Sequence, residues 1–143
     1  MKPIGYWLNR TDKALTGHMN SVLAEFGLTR LAWQVLNVVA DDPRATDTHV
    51  LAVLAVLAVL AANADADALA GAIETVVADD WAARPEPGRL ALTADGRARL
   101  AEVAERVASF RERSTAGITG EEYRIAVTVL ERMTHNLEGG AER

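Results

Sequence analysis

From Val50 to Ala62 the chain carries no polar side chain, and Leu, Ala and Val recur there every three residues. At about 100° per residue a three-residue step drifts by about 60°, so each stripe winds around a helix instead of holding one face. The pattern predicts a helix, opening near His49, with no side built for water. It breaks at Asn63-Ala64-Asp65-Ala66-Asp67, and helical spacing resumes through Leu69, Ala72, Ile73, Val76 and Val77 towards Trp81. Helix, acidic turn, helix is a layout common among DNA readers.

The flanks are helical as well. Upstream, Ile4, Trp7, Leu8, Leu15, Met19, Val22, Leu23 and Phe26 keep one apolar stripe, with Arg10, Lys13 and Asn20 opposite. Gly27 is placed to stop that helix and Thr29 to cap the next, which carries Leu31, Val35, Leu36, Val38 and Val39 as far as Asp41-Asp42-Pro43. Downstream, Pro85, Pro87 and Gly88 between short extended segments predict a hairpin. Thr93 caps a helix through Leu100, Val103, Ala104, Val107 and Phe110. Thr119 with Glu122 forms the capping box of a last helix through Ile125, Ala126, Val129, Leu130, Met133 and Leu137. The fold class expected is mostly α: a winged helix-turn-helix core, a small β-hairpin wing, and terminal helices outside the core. Those terminal stripes need another surface to cover them, which implies a homodimer.

The length of 143 residues, half of them apolar, suits a single domain with its own core. The apolar run falls short of the about 20 residues needed to cross a bilayer, and no basic leader opens the chain, so no membrane association and a cytoplasmic location are expected. The absence of Cys removes disulfides, thiolate metal sites and cysteine nucleophiles. Charge is unevenly spread. The net value is −5, yet residues 41–83 hold one base against eight acids, whereas 1–40 and 84–100 each hold four bases against two acids.

Candidate chemistry is sparse. Asn63, Asp65, Asp67 and Glu74 have the spacing of a calcium-binding loop, but Ala68 occupies the position where the sharp turn needs glycine, so a solvated acidic turn is the expected form. His18, His49 and His135 show no metal-ligand spacing. No nucleophile with a base beside it, phosphate-binding glycine loop or catalytic carboxylate pair stands out, so neither an enzyme nor a cofactor is expected.

Three motifs carry a family resemblance. Gly27-Leu28-Thr29 with Trp33 and Leu36, Leu92-Thr93-Ala94-Asp95-Gly96-Arg97, and Glu121-Glu122 with Leu130 and Asn136-Leu137 together resemble the MarR family of bacterial transcriptional regulators along the whole chain. The resemblance implies one MarR-like domain over 1–143, with dimerisation helices at 1–27 and 94–138 and a winged-helix core at 29–93. It implies a palindromic operator as partner. It also implies a pocket for a small aromatic anion where the dimer helices meet the core, for which Trp7, Arg10, His18 and Trp33 are the candidates.

Against that pattern, the helix that should read DNA offers Asp67, Ala68, Leu69, Ala70, Gly71, Ile73 and Glu74, where relatives place Ser, Thr and Arg. Base edges are read by Arg, Lys, Asn and Gln. Asp79-Asp80 follow where basic residues are usual, the segment from Pro43 to Trp81 is longer than the family pattern, and the wing is shorter. Arg84 and Arg89 remain as DNA-contact candidates. Two functions are therefore expected: a dimeric MarR-like regulator with weak or altered DNA contact, or a DNA-binding-deficient protein of that fold that binds a small aromatic ligand or a protein partner.

Overall fold

The computed structural model describes residues 1–61 and 66–139. Its elements in order are α1 (Ile4–Ala24), α2 (Arg30–Asp41), α3 (Asp47–Ala61), α4 (Ala66–Ala78), β1 (Ala82–Ala83), β2 (Ala91–Leu92), α5 (Ala94–Ser114) and α6 (Gly120–Gly139). They form two compact units, Met1–Ala108 and Ser109–Arg143, with α5 running through the boundary.

In the first unit α2 is the central element, packed against α1, α3, α4 and β2. Its apolar spacing explains the position: Ala32, Val35, Leu36 and Val39 are all buried. Met19, Val22 and Leu23 of α1, Leu69, Ile73 and Val76 of α4, and Val103 and Val107 of α5 are buried too, as are Trp81 and Leu90. At the start of the apolar run Val50 and Leu54 are buried, whereas Ala52 is exposed, so one side of α3 there does meet water. The side chains from 55 to 66, and with them the expected acidic turn and most of its calcium-like spacing, lie outside the described residues.

The helix ends follow local chemistry. Thr29 Oγ1 accepts the Ala32 amide at 3.1 Å and caps α2. After α1, the Leu28 amide donates to the Leu23 carbonyl and the Gly27 amide to Ala24, both at 3.0 Å, while Gly27 takes a φ of 72°. This paired closure requires a left-handed residue, and glycine takes that conformation at little cost. The same closure ends α4, but Asp80 fills the left-handed position at φ 63°. There the Trp81 amide reaches Val76 at 3.0 Å and the Asp80 amide reaches Val77 at 3.2 Å.

β1 and β2 pair antiparallel, Ala82 opposite Leu92 and Ala83 opposite Ala91. The wing is also tied to the entry of α3: Leu90 donates to Ala45 at 2.9 Å, Asp47 donates to Gly88 at 3.1 Å, and Thr46 bridges Arg89. Thr93 joins the wing to α5. Its hydroxyl accepts the Gly96 amide at 2.8 Å and donates to the Asp80 carbonyl at 2.7 Å.

In the second unit Thr119 and Glu122 form the reciprocal capping box, at 2.9 and 3.0 Å. Along α6, Tyr123, Ile125, Val127, Val129 and Leu137 are exposed and none of its residues is buried.

Candidate nucleic-acid interface

The outward side of α4 follows from its buried side. Because Leu69, Ile73 and Val76 face the core, Asp67, Ala68, Ala70, Gly71, Glu74, Thr75 and Ala78 are left exposed. Two carboxylates lie among small side chains, with no Arg, Lys, Asn or Gln. The Thr75 hydroxyl donates back to the Gly71 carbonyl at 2.9 Å, a local bond that occupies its proton. Asp79 and Asp80 are exposed at the helix's C-terminal end, where the helix dipole already presents partial negative charge.

Arg84 leaves β1 and turns inward over this surface. Its Nη1 lies 2.5 Å from Asp47 Oδ1 and its Nη2 3.0 Å from Asp47 Oδ2, the two-pronged geometry that suits guanidinium and carboxylate. Nη2 also lies 2.7 Å from Glu74 Oε1. The hydrogen bonds that Arg84 donates to Asp47, and after it to Glu74, push its already high pKa further up, against the opposing effect of burial. Only 29% of the Arg84 side chain is exposed.

Arg89 is similarly engaged. Nη2 donates to the Pro43 carbonyl at 3.1 Å and Nη1 lies 3.7 Å from Glu86, while the buried Nε has no hydrogen-bond partner among the described residues. Arg99 stacks over the Trp81 ring at 3.8 Å from its centroid, and Arg97 is exposed.

The four ligand-pocket candidates are only partly brought together. Trp7 and Arg10 lie on α1 with the guanidinium 6.0 Å from the indole, and Arg10 also donates to the Tyr6 hydroxyl at 2.9 Å. Tyr6 meets Trp7 edge to face at 5.0 Å. His18 is exposed on the same helix, about 12 Å further along. Trp33 is half-buried on α2 and belongs to neither the Tyr6–Trp7 ring pair nor the Arg10 stack. On α6 an open groove of about 290 Å³ is lined by Thr128, Glu131, Arg132, His135 and Asn136. All five belong to one helix.

Sequence alone singles out neither Tyr6 nor Asp47 for these arrangements, and it pairs Glu74 with no cation. Tyr6 was detectable, since Tyr and Arg four apart on a helix are neighbours. Asp47 was not, because nothing local links it to a residue 37 positions away.

No family model matches the sequence, and no curated protein matches it. Solved structures do. MarR of Escherichia coli in its reduced form superposes with a TM-score of 0.69 at 19% identity, over 93% of this chain and 94% of that one. This is a MarR-type winged-helix fold. The transcriptional repressor CouR, bound to p-coumaroyl-CoA, gives 0.70 at 20% identity, over 92% and 91%. A MarR family protein of Mycobacterium tuberculosis in complex with DNA gives 0.68 at 23%, over 93% and 98%. In MarR-type terms α3 and α4 are the helix-turn-helix and the β1–β2 hairpin is the wing. No helix among the described residues is long and apolar enough to cross a membrane.

Proposed function

We propose that this protein is a dimeric MarR-like regulator whose contact with DNA is weak and nearly indifferent to sequence. The observation that carries the reading is the exposed side of α4, with Asp67 and Glu74 among Ala and Gly. A base-specific reader gains about 1 to 3 kcal/mol from each paired contact to a base edge, and this helix supplies no such donor. Phosphate contact is opposed by the same carboxylates and by Asp79 and Asp80. Dimerisation is supported by exposed apolar side chains on both terminal helices, Ile4, Trp7, Leu8 and Leu15 on α1 and Ile125, Val129 and Leu137 on α6. Catalysis is not part of the reading.

A second reading is favoured by the Tyr6–Trp7–Arg10 cluster. Two aromatic rings beside a guanidinium suit an aromatic anion, through stacking and a charge-assisted hydrogen bond. In that reading the fold has given up DNA and acts as a ligand-binding or partner-binding protein, in the cytoplasm.

A gel shift on the DNA upstream of the protein's own gene separates the two. The regulator reading expects faint complexes, equal for the native and scrambled fragments and lost at about 150 mM salt. Gly71→Arg with Glu74→Arg should strengthen both equally. Complete absence of a complex at low salt, with an aromatic carboxylate raising the melting temperature, would favour the second reading.

A further inference from the structure

We propose that Asp47 and Glu74 hold Arg84 in an autoinhibitory clasp, withholding from nucleic acid a cation that the wing brings beside α4. The inference rests on the weak-contact reading above and gives it a switchable origin.

The geometry supports this in three ways. First, the guanidinium is already saturated on the relevant edge, with both carboxylate oxygens of Asp47 and one of Glu74 within 3.0 Å. A phosphate would have to displace carboxylates that recognise the same fork of donors. Second, the cluster of one cation and two anions carries a net negative charge, so it repels phosphate even with Arg84 present. Third, its two anions differ in how firmly they are placed. Asp47 lies in the first turn of α3, where the helix dipole favours a carboxylate. Glu74 is 69% exposed on the reading face and is therefore the arm that can let go. Neutralising Glu74 brings the cluster to zero, and neutralising both leaves a free cation at the root of the wing.

The test is a fluorescence anisotropy titration of a labelled random-sequence duplex across a salt series, with the full chain. Arg84→Ala should leave the slope of log affinity against log salt unchanged, because a withheld cation neutralises no phosphate, while affinity falls modestly as Asp47 and Glu74 lose their counter-charge. Asp47→Asn with Glu74→Gln should bind about tenfold tighter at low salt, and the slope of log affinity against log salt should steepen by about one per subunit. Adding Arg84→Ala to that pair should abolish the gain. Glu74→Gln alone, which leaves the Asp47 pair in place, should show a smaller gain with the same dependence on Arg84, and it carries the test should the double variant fail to fold.

Two results would overturn the clasp: a salt slope shallower by about one per subunit in Arg84→Ala alone, meaning that Arg84 already meets phosphate, or a steepened slope that survives in the triple variant, meaning that the gain does not come from Arg84. A tight sequence-specific complex of the wild type would defeat the weak-contact reading, but the comparison of Arg84→Ala with wild type would still decide the clasp.

Discussion

Gly96 sits against the backbone of Trp81 so closely that a Cβ at position 96 would stand 1.9 Å from the Trp81 carbonyl oxygen. The obstacle is main chain, fixed by the Schellman-type closure of α4 on one side and by Thr93 on the other. Thr93 donates its amide to the Trp81 carbonyl at 3.1 Å and its hydroxyl to the Asp80 carbonyl at 2.7 Å. The Leu-Thr-x-x-Gly-Arg element is thus a joint at which the end of α4, the hairpin and α5 meet. Gly96→Ala should destabilise the protein by about 3 kcal/mol, since neither backbone can yield without breaking a cap. Urea unfolding of the variant checks this, and Gly71→Ala is the control because nothing lies within 4 Å of a Cβ there.

Asp80 occupies the left-handed position that glycine fills after α1, and it does so at the negative end of α4. Both the conformation and the charge are unfavourable there. Asp80→Gly should therefore raise stability by about 0.5 to 1 kcal/mol, some of the gain being offset by the greater freedom of glycine in the unfolded chain. Thermal melting in parallel with wild type reads the difference.

The capping box of α6 makes a pH-dependent contribution. The Thr119 amide, and after it the Thr119 hydroxyl, hold the Glu122 carboxylate below its ordinary pKa of 4.5. A lowered folded-state pKa means stability that is present above the unfolded value and lost as pH falls through the folded one. Helicity at α6 should decline below about pH 4.5 in wild type. Glu122→Gln keeps the capping geometry without a titrating group, so amide exchange at Glu121, Glu122 and Tyr123 should lose this component of its acid dependence.

Much of the fold was legible because its determinants are local. The caps at Thr29, Thr93 and Thr119 each bond an amide three residues ahead, and Gly27 announces its own turn. What escaped was non-local or contrary to preference. Trp81 reads as the last apolar residue of α4, yet it lies three residues beyond that helix, in the closure that Asp80 makes possible. Arg84 reads as a free wing cation because its anchor on α3 is distant in sequence and its nearer partner, Glu74, shares its segment with seven other acids. Folding decided where that guanidinium went.

The exposed stripe on α6 supports the proposed dimer. Ile125 is 55% exposed, Val129 41% and Leu137 79%, with Leu130 half-buried between them. Leu130→Asp should convert a dimer into a monomer or unfold it, because a charge taken into an apolar seam has no partner. Light scattering at micromolar concentration distinguishes these outcomes, and a monomeric wild type would remove the dimer from the proposed function.

The proposed function rests on an exposed side of α4 that offers no Arg, Lys, Asn or Gln with which to choose a DNA sequence, and selection from a random duplex library tests it most directly. Wild-type protein is to be incubated with the library at about 150 mM salt, and the retained DNA sequenced over successive rounds. The account predicts little retained DNA and no motif growing from round to round. Enrichment of one palindromic site, bound at nanomolar concentration in that salt, would contradict it.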